Sequence, residues 1–425
     1  MKKTDKNYAS CLKILNEELV PAMGCTEPIA IAYCAAVAKN TLGDIPDRIL
    51  VEASGNIIKN VKSVIVPNTD GLKGVPAATA AGVIAGDPDK KLEVISSATA
   101  EQISAIKEYI KNTKIDVELL SSEFIFDIML TVFKGKSSAK VRIVNYHTNI
   151  VYIEKDGKVL KSTKSSCNAD DGLTDRSFLS VELILDFANS VDIADIKELL
   201  DLQINYNMSI SEEGIENNYG ANIGSVLLKH NDNSLPLKAR AMAAAGSDAR
   251  MNGCDKPVVI NSGSGNQGIT ASVPVIVYAR EIKCGDEKMY RALVLSNLIA
   301  IHQKTRIGRL SAYCGAVNAG AAAGCGIAYL LDGSLEAISH TLVNALAIVS
   351  GIICDGAKAS CAAKIAFAVE AGIFGYQMYC DGQQFYGGDG IVKKGAENTI
   401  ISVGRLGHDG MRETDTEILN IMIDK

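Results

Sequence analysis

The chain reads as an α+β protein: a mainly helical body formed by both chain ends, with an inserted α+β unit containing an antiparallel sheet. Three observations carry this expectation. Apolar residues recur at helical spacing near the N-terminus and again over most of the chain after residue 170. Between residues 45 and 165 the pattern changes to β-branched, often alternating runs. Small residues are abundant, with 37 Gly, while aromatics make up 5% and Trp is absent, so close helix packing is expected. The expected division is 1–44 together with 170–425 for the helical body and 45–169 for the insertion.

The first helix covers YASCLKILNEELV and is interrupted at Pro21-Ala-Met-Gly-Cys. A second follows in EPIAIAYCAAVAKNTLG, where Pro28 suits a first helical turn and Gly43 a C-terminal cap. Strands are expected in DRILVEASGNIIKN, KSVIVP, KLEVIS, KIDVELL, FIFDIMLTVFKG and AKVRIVNYHTNIVYIEKDGKVL, with a hairpin turn at Asp156-Gly157. VPAATAAGVIAG and TAEQISAIKEYIKN read as helices between them. After the polar stretch STKSSCNADDGLTDRS, helices are expected over 176–190, 192–210, 217–230, 236–250, 269–281, 287–303, 308–331, 334–350 and 355–376. The stretch DGQQFYGGDGIVKKGAENT reads as loop. Ala312–Leu331 and Thr341–Ile353 are apolar enough to suggest membrane spans. Asn318 inside the first, and Asp355 and Lys358 just after the second, favour buried core helices instead.

A chain that is 47% hydrophobic and 22% charged has material for a large core, which excludes global disorder. Net charge is −6 and no basic cluster stands out, so nucleic-acid binding has no support. The opening MKKTDKNYASCLKIL lacks an apolar signal segment, and the 11 cysteines lack the even spacing of a disulfide framework. A reducing cytoplasm is expected. Cys11, Cys34, Cys167, Cys254, Cys284, Cys325 and Cys380 then read as core thiols.

Cys314, Cys354 and Cys361 differ in context. They lie in SAYCGAVNAGAAAGCGIA and GIICDGAKASCAAKIA, spaced C-x39-C-x6-C. Three soft thiolates suit a metal that keeps a position open for substrate, although this spacing matches neither zinc fingers nor the ferredoxin run. On spacing alone, core thiols and metal ligands both stand. Gly315, Gly324, Gly326 and Gly356 allow close backbone approach, and Asp355 and Lys358 need partners in an apolar region. In VVINSGSGNQGITASVPVIVYA, Gly263, Gly265 and Gly268 spell G-x-G-x-x-G before a helix. Asp286 stands at a distance suited to a dinucleotide site, but no parallel-sheet pattern surrounds it. A turn whose amides bind a small carboxylate, through Ser262, Gly263, Ser264, Gly265, Asn266 and Gln267, fits better. Cys25 precedes a helix start, which favours its thiolate, and Glu27 in the first turn is an acid or base candidate. Asn217, Lys304 and Arg306 are further candidates for substrate binding, and His302 for proton transfer.

Taken together, GCTEPIAIA, NSGSGNQG, AYCGAVNAGAAAG and ICDGAKASC resemble the L-cysteine desulfidase family, which is related to the alpha part of bacterial iron–sulfur L-serine dehydratases. The resemblance covers nearly the whole chain. It implies a [4Fe-4S] cluster with three thiolate ligands, Cys314, Cys354 and Cys361, and one open iron, with Cys25 catalytic. It implies non-redox β-elimination of L-cysteine to pyruvate, ammonia and hydrogen sulfide, without pyridoxal phosphate. The gap between the last two ligands is shorter than in serine dehydratases and their C-terminal cysteine is missing, which favours L-cysteine over L-serine. The alternatives are L-serine dehydratase and a non-catalytic cluster-binding redox sensor. The expected partner is a small amino acid, with neither nucleic acid nor membrane; a homo-oligomer is compatible with the chain.

Overall fold

The computed structural model describes residues 1–166, 173–230 and 234–422. Helices dominate, and one mixed sheet of six strands stands beside them. Helix α1 (Lys6–Glu18) leads into the short strand β1 (Pro21–Met23) and then α2 (Thr26–Leu42). Gly43 ends α2 in the left-handed conformation, at φ 89°. Next come β2 (Arg48–Ala53), α3 (Gly55–Val61), α4 (Gly74–Ala85), α5 (Ala100–Asn112) and β3 (Lys114–Leu119). The unit closes with the antiparallel run β4 (Asp127–Lys134), β5 (Ser137–Val144), β6 (Ile150–Lys155) and β7 (Lys158–Ser162).

Strand order is β3-β2-β4-β5-β6-β7. Only β2 and β3 run parallel, because the helical crossover α3–α5 separates them. The expected turn at Asp156-Gly157 forms, with both residues at positive φ between Lys155 and Lys158. Ile49, Val51, Ile128, Leu130, Val132, Val141 and Ile143 alternate onto one fully buried face. Helix α2 covers that face, and Cys34 Sγ lies 3.6 Å from the carbonyl of Val141. Residues 26–42 therefore pack with the sheet, whereas the sequence assigned all of 1–44 to the helical body. Their all-round hydrophobicity marks a buried helix without saying which partner buries it.

The helical body holds α6 (Val181–Ser190), α7 (Lys197–Glu216), α8 (Ile223–Lys229), α9 (Leu235–Met251), β8 (Pro257–Val259), α10 (Gly265–Glu281) and α11 (Asp286–Ile307). It continues with α12 (Gly315–Leu331), α13 (Leu335–Val349), α14 (Cys361–Cys380), α15 (Ala396–Arg405) and α16 (Arg412–Met422). Strand β8 pairs antiparallel with β1, tying the N-terminal segment to the body. Helix α12 is the hub, packed against α10, α11, α13 and α14. Glycine lets these helices touch. A Cβ on Gly320 would come within 2.4 Å of the backbone of Ala368, and one on Gly324 within 2.5 Å of Gly372 O. No helix among the described residues is long and apolar enough to cross a membrane.

Three expected strand segments form no strand, and of these KSVIVP keeps only an isolated bridge from Ile65 to Lys73. GNIIKNV forms α3, with Ile57 and Val61 on one buried face and Gly55 set against Leu419 of α16. The KLEVIS stretch forms a 3-10 turn from Pro88, and its β-branched residues are buried rather than paired. Tertiary burial outweighed β propensity in both short runs. The loop after α14 ends at Ala396, where α15 begins earlier than the pattern indicated. Cys11, Cys34, Cys254 and Cys325 are buried thiols; Cys284 is half-buried and Cys380 is exposed. Cys167 lies outside the described residues.

Close packing at Gly324 gives a direct test. Gly324→Ala should lower stability by about 1–3 kcal/mol in urea unfolding. At Gly351, where an added Cβ meets nothing within 4 Å, the same change should stay within about 0.5 kcal/mol. Equal effects would contradict the packing described.

Candidate active site

Four helices begin at one cavity of about 110 Å³. Cys25 caps α2, Ser264 caps α10, Cys314 caps α12, and Cys361 is the first residue of α14. All four residues line the cavity, as do Glu27, Asn266, Gln267, Lys304 and Cys354. Local geometry explains each placement. Gly24 precedes Cys25 at φ 55°, with Pro67 packed where a Cβ would stand. Ser262 and Gly263, at φ 51° and 79°, turn the chain tightly into α10. Cys314 donates its N–H to Ile352 O at 3.1 Å, and Cys354 donates to Ala312 O at 2.6 Å. That two-way bridge clamps together segments 40 positions apart in sequence.

The loop between Cys354 and Cys361 is held by charge. Asp355 pairs with Lys358 at 2.6 Å and also with Lys364. Lys364 Nζ donates to Ile353 O at 2.8 Å. Gly356, at φ 91°, lies so close to Lys59 O that a Cβ would meet it at 2.5 Å. Lys59 Nζ in turn approaches the carbonyl of Cys354 at 3.5 Å and pairs with Asp415 of α16.

Cys314, Cys354 and Cys361 bring three soft thiols to the wall of one cavity. Burial and the neighbouring Cys354 push the Cys314 thiol up to about 12, and burial also raises that of Cys361. Bound metal offsets this unfavourable accumulation of charge. Among the described residues, no group of three His, Cys, Asp or Glu could hold a single metal ion. Thiolates on different atoms of a polynuclear cluster do not have to share one coordination sphere of about 2.3 Å radius.

Cys25 departs from the expected thiolate. Its Sγ–H donates to Glu27 Oε2 at 3.2 Å. Burial, together with the charge of Glu27, pushes this thiol well above its ordinary value and outweighs the helix N-terminus. Glu27 is itself buried, and its carboxylate accepts from Asn60 Nδ2 at 3.0 Å and Thr26 Oγ1 at 3.1 Å. Burial works against this carboxylate, but neighbouring His147, the Cys25 hydrogen bond and Arg250 hold it below the usual range. Cys25 and Glu27 thus form a hydrogen-bonded acid–base pair.

Lys304, in the last turn of α11, lines the cavity, and burial lowers it to about 8. His302 and Arg306 do not line it. Positions two apart on a helix are separated by about 200°, so a face that presents Lys304 turns both away. His302 Nε2 meets Glu397 at 2.8 Å, and Glu397 also accepts from Val181 N–H. Arg306 is exposed beside Gly404 of α15. Asn217 is exposed as well and donates to Glu213 at 2.9 Å. Sequence reasoning missed Arg250 and His147, both buried cavity residues, and Asn60. A lone Arg in AAAGSDARMNG was a signal available in the sequence, since such a charge among small residues calls for a partner. His147, in the turn between β5 and β6, carried no comparable signal.

The family model for the serine dehydratase alpha chain matches residues 89–420. The chain belongs to that family. The matched span includes the Ser262–Gln267 turn, Lys304 and all three clustered cysteines; Cys25 and Glu27 precede it. Relatives matched over their full length extend further. A UPF0597 protein of Desulfitobacterium hafniense is 60% identical over 100% of this chain and 99% of its own. Another, of Lachnoclostridium phytofermentans, is 51% identical over 98% of this chain and 100% of its own. One of Treponema denticola is 48% identical over 97% of each.

The Asp355 clasp should matter for metal retention. In Asp355→Ala all three cysteines remain, but the loop loses two ion pairs. Anaerobically prepared protein should release iron to a chelator at about 10–100-fold lower chelator concentration than wild type. Unchanged retention would show that the clasp does not support the thiols.

Proposed function

We propose that this protein is an L-cysteine desulfidase, a lyase that eliminates sulfide from L-cysteine without net redox change. One observation carries the reading: Cys25, Glu27 and the three thiols of Cys314, Cys354 and Cys361 line the same cavity. Membership of the serine dehydratase alpha chain family supports a lyase reaction on a small β-substituted amino acid. Cys314, Cys354 and Cys361 would hold a [4Fe-4S] cluster. Such a cluster with only three protein thiolates supplies a Lewis-acidic iron that draws charge from the leaving sulfur.

The chain's own residues do the rest. In a transfer that runs uphill from the resting thiol–carboxylate pair, Glu27 receives the Cys25 proton along their hydrogen bond, and the bared sulfur of Cys25 takes the α-proton of the substrate. The burial that disfavours this thiolate also makes it a stronger base than a thiolate in water. The pair of electrons from the Cα–H bond forms the Cα–Cβ double bond, and the C–S pair departs with sulfur. The Ser262–Gln267 turn faces the substrate carboxylate with the amides that begin α10. Aminoacrylate then leaves, tautomerises and takes up water to give pyruvate and ammonia.

L-Serine is the second reading, favoured by the family's description; a hydroxyl would leave in place of the thiol. Anaerobic reconstitution should bring in about four irons per chain. The loaded protein should then release sulfide and pyruvate from L-cysteine faster than pyruvate from L-serine. Serine turnover alone would reverse the choice, and no turnover of either would leave cluster binding without this chemistry. Cys25→Ala should keep its iron but turn over about 10²–10⁴-fold more slowly. A near-normal rate would remove Cys25 as the base.

A further inference from the structure

Among the buried polar side chains that line the cavity, Arg250 and His147 have no part in the elimination. Arg250 is 2% exposed and His147 is 9% exposed. Among the described residues, neither Arg250 Nε nor His147 Nε2 has a hydrogen-bond partner. A buried donor or acceptor left unmet costs more free energy than an ordinary hydrogen bond contributes. Both residues line the cavity, so a ligand there can meet their side chains.

Their surroundings differ in sign. Arg250, in the last turn of α9, lies against the first residue of α10; a Cβ on Gly265 would stand 2.2 Å from its Nε. Only glycine leaves room for that guanidinium. It therefore shares the cavity with the unbonded amides that begin α10, and both favour an anion. His147 lies across the same turn, where a Cβ on Gly263 would stand 3.1 Å from its Cε1. Burial lowers its pKa to about 4, so the ring is uncharged at neutral pH. It neighbours the Glu27 carboxylate. Glu27 Oε2 accepts from Cys25 and Thr26, while Oε1 accepts only from Asn60 among the described residues. A carboxylate oxygen with spare capacity beside an uncharged ring nitrogen forms an acceptor site for a cation.

We infer that the cavity recognises its substrate as a free α-amino acid zwitterion, with Arg250 and the start of α10 holding the carboxylate and His147 Nε2 with Glu27 receiving the ammonium. This deepens the amino-acid reading of the site and rests on it. An ammonium beside Glu27 brings Cα next to Cys25, because Cys25 Sγ is bonded to the same carboxylate. It also excludes peptides and N-acylated amino acids, which lack the charged amine.

The test uses ligands without a leaving group, so that binding and elimination fail separately. L-Alanine, propionate and ethylamine are titrated calorimetrically into the cluster-loaded protein. Wild type should bind L-alanine about 10–100-fold more tightly than either fragment. Arg250→Lys keeps the charge but loses the fork, and should shrink the preference over ethylamine while keeping that over propionate. His147→Asn should do the reverse. Arg250→Gln and His147→Phe repeat the comparison with other side chains. Wild-type protein that binds the fragments as well as L-alanine overturns the inference, as do variants that shift both preferences equally. Normal L-alanine recognition without turnover of L-cysteine would leave the inference standing and remove the elimination chemistry alone.

Discussion

The structure depends on four helix N-termini meeting at one cavity. The starts of α2, α10, α12 and α14 each carry about half a positive charge. Three of these helices begin at a cysteine or directly after one, and the fourth begins at the Ser264 cap. Such a convergence is costly without anions to face it. Thiolates, a carboxylate and the negative charge of a thiolate-bound cluster satisfy the same demand. The last turns of α9 and α11 add Arg250 and Lys304, cations well placed for helix C-termini and available to the cavity.

Bringing so many helix ends together requires thin helices, and the small residues supply them. Gly320, Gly324 and Gly372 let α12 and α14 approach backbone to backbone. This fixes the direction in which Cys314 and Cys361 start their helices. The Tyr313–Ile353 bridge and the Asp355 ion pairs then set the remaining loop. The cavity is closed from the other side by the α+β unit, which contributes Asn60, Phe126 and His147. The site is therefore shared between the two units, and their mutual packing is part of its geometry.

Much of this was legible in the sequence because it is local. A glycine before or after a chemically distinctive residue marks a tight turn, and PAMGCTEP, NSGSGNQG and CDGAKASC all carry such marks. What was illegible depends on contacts between distant segments. Whether Cys25 is thiol or thiolate is decided by Glu27 and burial, not by the helix start alone. Lys304 lines the cavity whereas His302 and Arg306 do not, since residues two apart on α11 face different neighbours. The helix over 55–61 is fixed by α16, which comes some 350 positions later. Arg250 and His147 acquire meaning only when Gly265 and Gly263 are seen beside them.

The central claim is that three thiols hold a cluster with one iron left for substrate, next to the Cys25–Glu27 pair. Mössbauer spectroscopy of protein reconstituted anaerobically with ⁵⁷Fe tests it most directly. One of the four irons should change its isomer shift and quadrupole splitting when L-cysteine is added, while the other three stay as they were. Four irons that respond alike, or not at all, to a substrate that is being turned over would contradict the account.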